Sequence, residues 1–515
     1  MIRSLKTLRR LFQIAFAFAR HDALAVLEER RLIPGRAAAF AVWFARLFSL
    51  RKSGDRPGEK LARALTDLGP TFIKLGQFLS TRSDLLGDQL AADLARLQDQ
   101  LPPFSGSEAR KLVESELGAS LDELFESFDP EPVSAASIAQ VHFAVTTSGE
   151  KVAVKVLRPG ADEQFRRDLA LFHHLAELLT RTRPSLKRFR LQDVVQTFHD
   201  TVKLEMDLRM EAAAACELSD NFAGDDSYDT PSIDWERTSR RVMTMSRVSG
   251  IPMDDRQALL DAGHDLEEVL TVAARIFFNQ VFRDGFFHGD QHPGNMFVGA
   301  DGQIVAVDFG IMGRMDRQTR YFLADMLLAL LEEDYYKLAL AHKTGGLIDD
   351  SIPLDTFAQA LRSVCQPIMG KSLDGFSFAS LLGQMLHLTE TFEMKVQPQL
   401  LLLQKNMVMA EGVSRHLDQD LNIWTLSRPL IEQWMRENRG PQARVRDGLS
   451  DLAQSLERLP QFMNNLEDLS DKLRQGGLKL DEKSIADFSQ GSSTTAKWAL
   501  FVSLVALGFA AGIAL

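Results

Sequence analysis

Hydrophobic positions recur at helical spacing from residue 60 to about residue 130, broken by turn signals at Gly69-Pro70, Gly87 and Pro102-Pro103. At Pro132 the texture changes. Val133 to Ala144 and Lys151 to Val156 read as two strands joined by a turn at Ser148-Gly149. Helical spacing returns from Asp162 to Arg181 and from Leu191 to Phe222. A short strand pair is predicted near Arg241 to Val248, leading through Gly250-Ile251-Pro252. Helices then run to Phe287, a hairpin covers 288–310, and helical periodicity dominates to about residue 440. Residues 441–490 are polar with scattered Leu, as in an amphipathic helical linker, and Gly491 to Thr495 form a flexible joint. No internal repeat is visible.

The two ends carry their own patterns. The run from Trp498 to Leu515 is uncharged and apolar, with Lys497 at its entrance. As a helix it would span about 27 Å, which predicts a transmembrane anchor with the body of the chain on the cytoplasmic side. A buried core helix is the alternative, but after a flexible joint such a helix has no core left to join. At the other end, a basic start and an apolar run to Ala19 resemble a secretory signal. Helical periodicity with Arg20, Arg30, Arg31, Arg36 and Arg46 continues past that run. A basic amphipathic region is favoured, lying on an anionic membrane surface or packed on the domain.

Length and composition bound the rest. At 515 residues, two or three units are expected, and 45% hydrophobic content suffices for substantial cores. The net charge of −11 argues against general nucleic-acid binding. That charge is uneven, because residues 1–52 hold eleven Lys/Arg against three Asp/Glu. Cys216 and Cys365 match no metal spacing and read as buried or free thiols in a reducing compartment.

The stretch His288 to Gly310, HGDQHPGNMFVGADGQIVAVDFG, holds the candidate chemistry. Asp290 and Asn295 stand five apart, as in a kinase catalytic loop, and Asp308 opens a DFG triplet after the apolar run Ile304 to Val307. A carboxylate at Asp290 can orient or deprotonate a hydroxyl or water, while Asn295 and Asp308 can hold Mg²⁺. One DFG alone would be a polar turn; the compound pattern is a site. Such a site needs a cation for the phosphates, and Val152-Ala153-Val154-Lys155 offers one at the end of a strand. A buried lysine needs a carboxylate partner, for which a helix carrying Glu205, Asp207 and Glu211 supplies candidates facing different ways. A solvated acidic face would explain the same charges. Where a kinase has a Gly-rich loop, this chain has Val133, Ser134, Ala135, Ala136, Ser137, Ile138 and Ala139, a stiffer loop that would accommodate phosphates differently.

Lys74-Leu75-Gly76-Gln77, the Ala-rich loop, Lys155, Glu205-x-Asp207, the His288 to Asn295 loop and Asp308-Phe309-Gly310 occur in one order over roughly residues 65–315. In this the chain resembles the UbiB family of atypical kinase-like proteins, which support ubiquinone biosynthesis. The resemblance implies an α+β, bilobal protein-kinase-like fold with a helical N-terminal extension and a C-terminal transmembrane helix. The implied boundaries are a basic region at 1–60, a KxGQ extension at 61–130, a core at 131–345 divided near residue 250, a helical extension at 346–440, a linker at 441–497 and the anchor at 498–515. It further implies that Lys155 contacts nucleotide phosphates and pairs with Glu211, that Asn295 and Asp308 hold Mg²⁺, and that Asp290 sits where the kinase base sits. Residues 133–139 would cover ATP or ADP. Lys74, Gly76 and Gln77 would lie across the cleft, with Lys74 near Glu205 or Asp207, as a regulatory element.

Two features point away from a peptide acceptor. Position 289 is Gly where a protein kinase has Arg, and Ile311 to Met315 lead straight toward a helix near Arg320 without an activation segment. The expectation is an inner-membrane ATPase with polyprenyl-phenol or other lipid ligands and ubiquinone biosynthetic enzymes as partners. The alternative is a phosphotransferase regulating the same process. No flavin fingerprint, haem motif or di-iron pattern supports a hydroxylase.

Overall fold

The computed structural model describes residues 5–23, 56–80, 90, 93–94, 97, 101–182, 190–369, 388, 392, 394, 398–418, 429–430 and 432–434. The linker and the terminal apolar run predicted at 441–497 and 498–515 lie outside them. Among the described residues no helix is long and apolar enough to cross a membrane. The fold class is corrected accordingly: it is kinase-like α+β without a transmembrane helix among its described elements. The longest described helices carry the reason in their sequences, with Asp162, Glu163, Arg166 and Arg167 in one, and Lys405, Glu411 and Arg415 in another.

The described residues open with the helices α1 (Leu5–Arg20), α2 (Pro57–Leu68) and α3 (Pro70–Ser80). Pro57 opens α2, where its missing N–H costs nothing, and Gly69 ends it at φ +93° so that Pro70 can start α3 at a new angle. Then come α4 (Gly106–Leu117), started by a reciprocal Ser105–Glu108 cap, and α5 (Leu121–Leu124).

The strands that follow are β1 (Phe125–Phe128), β2 (Ser134–Ala135), β3 (Ala139–Thr146) and β4 (Lys151–Leu157). Helices α6 (Ala161–Thr182), α7 (Leu191–Glu205) and α8 (Leu208–Asn221) lead to β5 (Tyr228–Asp229), β6 (Ile233–Asp234), β7 (Val242–Ser246) and β8 (Ile251–Pro252). The first sheet runs β1-β3-β4-β7-β6, with β2 folded back on β3. Two differences from the predicted elements stand out. Residues 125–128, within the stretch read as helical, form an edge strand. The strand pair expected near 241–248 is one strand, β7, lying between β4 and β6.

Covering on both faces explains why β4 is apolar along most of its length. Val152, Val154 and Val156 join Leu112, Val113, Leu121 and Phe125 on one side. Ala153 and Leu157 join a larger core on the other, built with α2, α3, α6, α7 and α8. Lys155 alternates onto this second side, toward α8.

The second lobe contains α9 (Arg256–Asp261), α10 (Leu266–Phe278), β9 (Phe286–His288), β10 (Met296–Val298), β11 (Ile304–Ala306) and β12 (Met312–Arg314). Its sheet runs β5-β11-β10-β8, while β9 and β12 pair separately. Then follow α11 (Arg317–Leu331), α12 (Tyr335–Thr344), α13 (Leu354–Met369) and α14 (Pro398–Leu417). Helix α14 is seated on this lobe: Val413 and Leu417 enter its core, and Arg256 Nε donates to the Leu417 carbonyl at 2.6 Å.

Of the two placements expected for the basic N-terminus, α1 shows packing on the domain. Arg10 grips Asp168 of α6 through Nε and Nη2 at 2.8 and 2.7 Å, and Nη2 also donates to the Leu68 carbonyl at 3.0 Å. Ala17 and Ala19 are buried, while Phe12 and Phe16 remain exposed on the outer face.

Candidate active site

Lys155 lies opposite Val141 on β3 and Met243 on β7, a register that fixes where its side chain leaves the sheet. Its Nζ is 2.6 Å from Glu211 Oε1 and 3.1 Å from Asp308 Oδ1. Lys155 is 7% exposed and Glu211 8%, so both charges depend on their partners rather than on water. Burial alone would lower the Lys155 pKa, but Asp308 and Glu211 outweigh it and hold it above the usual lysine range. The Lys155 charge in turn holds Asp308 well below the ordinary carboxylate range, with Lys74 adding to the pull. Glu211 goes the other way: burial, reinforced by the neighbouring negative charge of Asp308, pushes its carboxyl up to about 7.

That asymmetry is informative. One lysine serves two carboxylates, of which Glu211 is buried and the Asp308 side chain is 46% exposed. An additional cation beside Asp308 would complete this charge set. Among the described residues no three His, Cys, Asp or Glu side chains gather as a metal cage. Mg²⁺ suits such a site, since it takes one or two protein ligands and keeps phosphate and water oxygens for the rest. Asp308 also has φ +62°, a left-handed conformation that costs a non-glycine residue about 1–2 kcal/mol and that asparagine and aspartate tolerate best.

The carboxylates expected on one helix lie on two. Helix α7 ends at Glu205, Met206 follows, and Asp207 caps α8 by accepting from the Arg209 N–H. Lys74 Nζ lies 3.2 Å from Glu205 Oε2, whereas Asp207 is engaged by Arg209 at 2.9 and 2.7 Å. Lys74 thus pairs with the first carboxylate and Lys155 with the last. Gly76 allows α3 its close approach: a Cβ there would meet Leu97 Cδ1 at 2.4 Å and Leu65 Cδ1 at 2.9 Å. Gln77 Oε1 is buried without a hydrogen-bond partner among the described residues.

The Ala-rich segment folds as a tight return. Val133 N–H donates to the Val141 carbonyl and Ala136 N–H to that of Ala139, both at 2.8 Å. Arg158 pins the Ala136 carbonyl through Nε and Nη2 at 3.1 and 3.0 Å, and Ser137, Ile138 and Ala139 are buried. Val133 and Ser134 stay exposed.

The loop after β9 is built around a buried neutral histidine. Burial lowers the His288 pKa. Its Nδ1 accepts from the Asp290 N–H at 3.1 Å, and its Nε2 donates to the Val307 carbonyl at 3.3 Å. Asn295 Nδ2 donates to the Asp290 carbonyl at 3.1 Å, so the loop closes on itself. Gly289 N–H donates to the Ile311 carbonyl at 2.8 Å, and a Cβ at residue 289 would meet that oxygen at 3.0 Å and Ile311 Cγ2 at 2.9 Å. This close approach explains why no arginine stands here. Gly289→Ala is expected to destabilise the fold by about 1–3 kcal/mol through overpacking, read as a lower denaturation midpoint at unchanged slope.

Three further residues were not singled out in the sequence. Lys405 Nζ sits 2.8 Å from Asp290 Oδ1. Asn406 Nδ2 donates to the His288 carbonyl at 2.6 Å, and its Oδ1 accepts from the Gln291 N–H at 3.3 Å. Gln280, in a π-helical turn over Asn279–Asp284, accepts from the His288 N–H at 3.0 Å. The one available signal was Gln404-Lys405-Asn406, a polar interruption in the apolar run from Leu400 to Met409.

Comparison with known proteins agrees with this architecture. Residues 96–342 match the ABC1 atypical kinase-like domain, and residues 361–422 match the UbiB helical domain. "Probable protein kinase UbiB" of Marinobacter nauticus is 40% identical over 479 residues, covering 91% of this chain and 86% of that protein. The protein of the same name from Azotobacter vinelandii is 40% identical over 472 residues, covering 90% and 88%. A solved structure titled "The complex structure of Rv3197-erythromycin from Mycobacterium tuberculosis" is 24% identical, covering 69% of this chain and 93% of that one at a TM-score of 0.44. The chain belongs to the UbiB family of atypical kinase-like proteins.

Proposed function

We propose that the chain is an ATP- and Mg²⁺-dependent enzyme of ubiquinone biosynthesis that hydrolyses nucleotide in support of reactions on polyprenyl-phenol intermediates. The observation that carries this reading is Lys155 held between Glu211 and Asp308, a charge set suited to a phosphate chain and a divalent cation. Lys155 would meet phosphate oxygens, and Asn295 and Asp308 would hold the metal. Bound Mg²⁺ would supply neutralisation of charge on the phosphates. The half-buried Asp290 would orient a water, taking its proton as the phosphoryl group departs. The pinned Ala-rich segment fits the nucleotide-covering role, and Lys74 with Glu205 a regulatory one. The ligand class implies work at a membrane surface, alongside other enzymes of the process.

Hydrolysis is favoured over phosphotransfer to protein by the stretch after Gly310. Strand β12 ends at Arg314, and Asp316 already caps α11 by accepting from the Thr319 N–H at 2.7 Å, which leaves no room for a peptide platform. Phosphotransfer to a small molecule or protein is the second reading, because Asp290 could equally accept a hydroxyl proton. The test is γ-labelled ATP with Mg²⁺, with and without liposomes carrying a phenolic quinone precursor. Label released as free phosphate supports hydrolysis; label on an acceptor supports phosphotransfer; no consumption of ATP under any condition sinks both.

A further inference from the structure

The loop from Asp290 to Asn295 reads Asp-Gln-His-Pro-Gly-Asn and contains no Lys or Arg. Its histidine, His292, is occupied in shaping the turn: Nδ1 accepts from the Gly294 N–H at 3.1 Å. The cation that meets Asp290 therefore comes from elsewhere in the chain. Lys405 arrives from α14, 115 residues downstream, and its Nζ donates to Asp290 Oδ1 at 2.8 Å. Oδ2 of the same carboxylate makes no hydrogen bond among the described residues, and the side chain is 29% exposed. One oxygen is tied down while the side chain stays partly open to solvent.

The neighbouring residue completes the grip. Asn406 is 1% exposed, and its amide spans the loop backbone, donating to the carbonyl of His288 and accepting from the N–H of Gln291. Two consecutive residues of one helix thus fix the backbone on both sides of Asp290 and the carboxylate between. Burial of a primary amide with both ends satisfied is costly to arrange and rigid once formed. The helix is itself immobilised by Val413, Leu417 and the Arg256 contact. It also lies inside the segment matching the UbiB helical domain.

We propose that Lys405 is a positioning residue for Asp290, with Asn406 holding the loop that carries it, so that the helical domain is a working part of the active site. The inference rests on the role given to Asp290 under the proposed function. An orienting carboxylate acts only when held near its productive geometry, and a displacement of about 1 Å can cost on the order of 100-fold in rate. Lys405 supplies that restraint through one oxygen. It lies on the side of Asp290, whereas the lysine facing Asp308 and Glu211 is Lys155. The two lysines therefore have separable effects.

The test is steady-state phosphate release by the full chain with liposomes and quinone precursor, together with MgATP binding followed by a fluorescent nucleotide. Lys405→Ala is expected to lower kcat by about 10–100-fold while KM and nucleotide affinity change by less than about threefold. Lys405→Arg, which keeps a cation on a stem of similar reach, is expected to recover most of the loss. Asn406→Ala is expected to lower kcat as well, and a thermal melt of each variant separates lost positioning from lost fold. Wild-type kcat in Lys405→Ala, an equal loss of nucleotide affinity, or failure of arginine to rescue would overturn the inference while leaving the hydrolytic reading intact. A wild-type protein that binds MgATP and releases no phosphate would overturn both together.

Discussion

Asp308→Asn is expected to lower Mg²⁺-dependent nucleotide turnover by on the order of 1,000-fold, a loss of about 4 kcal/mol of transition-state stabilisation. The amide keeps the shape of the side chain but cannot supply the negative charge that a divalent cation requires. It also removes one of the two carboxylates on Lys155, leaving that lysine to Glu211 alone at 2.6 Å. Because Asp308 is part of what raises the Glu211 carboxyl to about 7, its neutralisation returns Glu211 toward full ionisation and keeps the buried lysine compensated. The fold should survive, with a melting temperature close to wild type. Phosphate release and quinone content in a complemented strain are the measurements, and turnover within tenfold of wild type would exclude Asp308 as the metal ligand.

Arg10→Met is expected to destabilise the protein by about 3 kcal/mol or more, the scale found when one partner of a buried ion pair is removed. Methionine retains the packing of the aliphatic stem, so the loss isolates the charge. Asp168 is 1% exposed and would be left without its bidentate partner. Replacing both residues, as in Arg10→Met with Asp168→Leu, should recover much of the stability, because the uncompensated carboxylate is then gone. Denaturant titration of the two single variants and the double variant checks this. Additive losses would show that the pair contributes no coupling, and that α1 is held by its alanines instead.

Where residues announce themselves by local pattern, the sequence was readable. The Val-rich run from Val152 to Val156 marked β4, and the spacing of Asp290, Asn295 and Asp308 marked the loop and hairpin that carry them. The turn at Gly69-Pro70 appears as the joint between α2 and α3. Legibility fell wherever a long-range contact decided the outcome. The periodicity of residues 191–222 continues across Met206, so nothing local announced that α7 would stop there and α8 restart on Asp207. Phe125 to Phe128 are too short to declare themselves a strand without β3 beside them. Lys405 and Asn406 were not singled out within a long stretch of helical periodicity, because the loop they serve lies far away in the chain. The transmembrane helix was expected from hydropathy and from the family resemblance at residues 498–515, which lie outside the described residues, and no described helix has that character.

The break between α7 and α8 sets a limit on how this chain can vary in length. Glu205 closes one helix and Glu211 sits one turn into the next, with a single capped junction between them. Each carboxylate has its own lysine, one delivered by α3 and one by a strand. Inserting one residue after the Asp207 cap would rotate Glu211 by about 100° around the α8 axis and carry it off Lys155, while Glu205 stayed in place. Substitutions in the junction trade one side chain for another. A change of even one residue in its length would separate the two ion pairs, so insertions and deletions should be tolerated in the turn after α8 but not between Glu205 and Glu211.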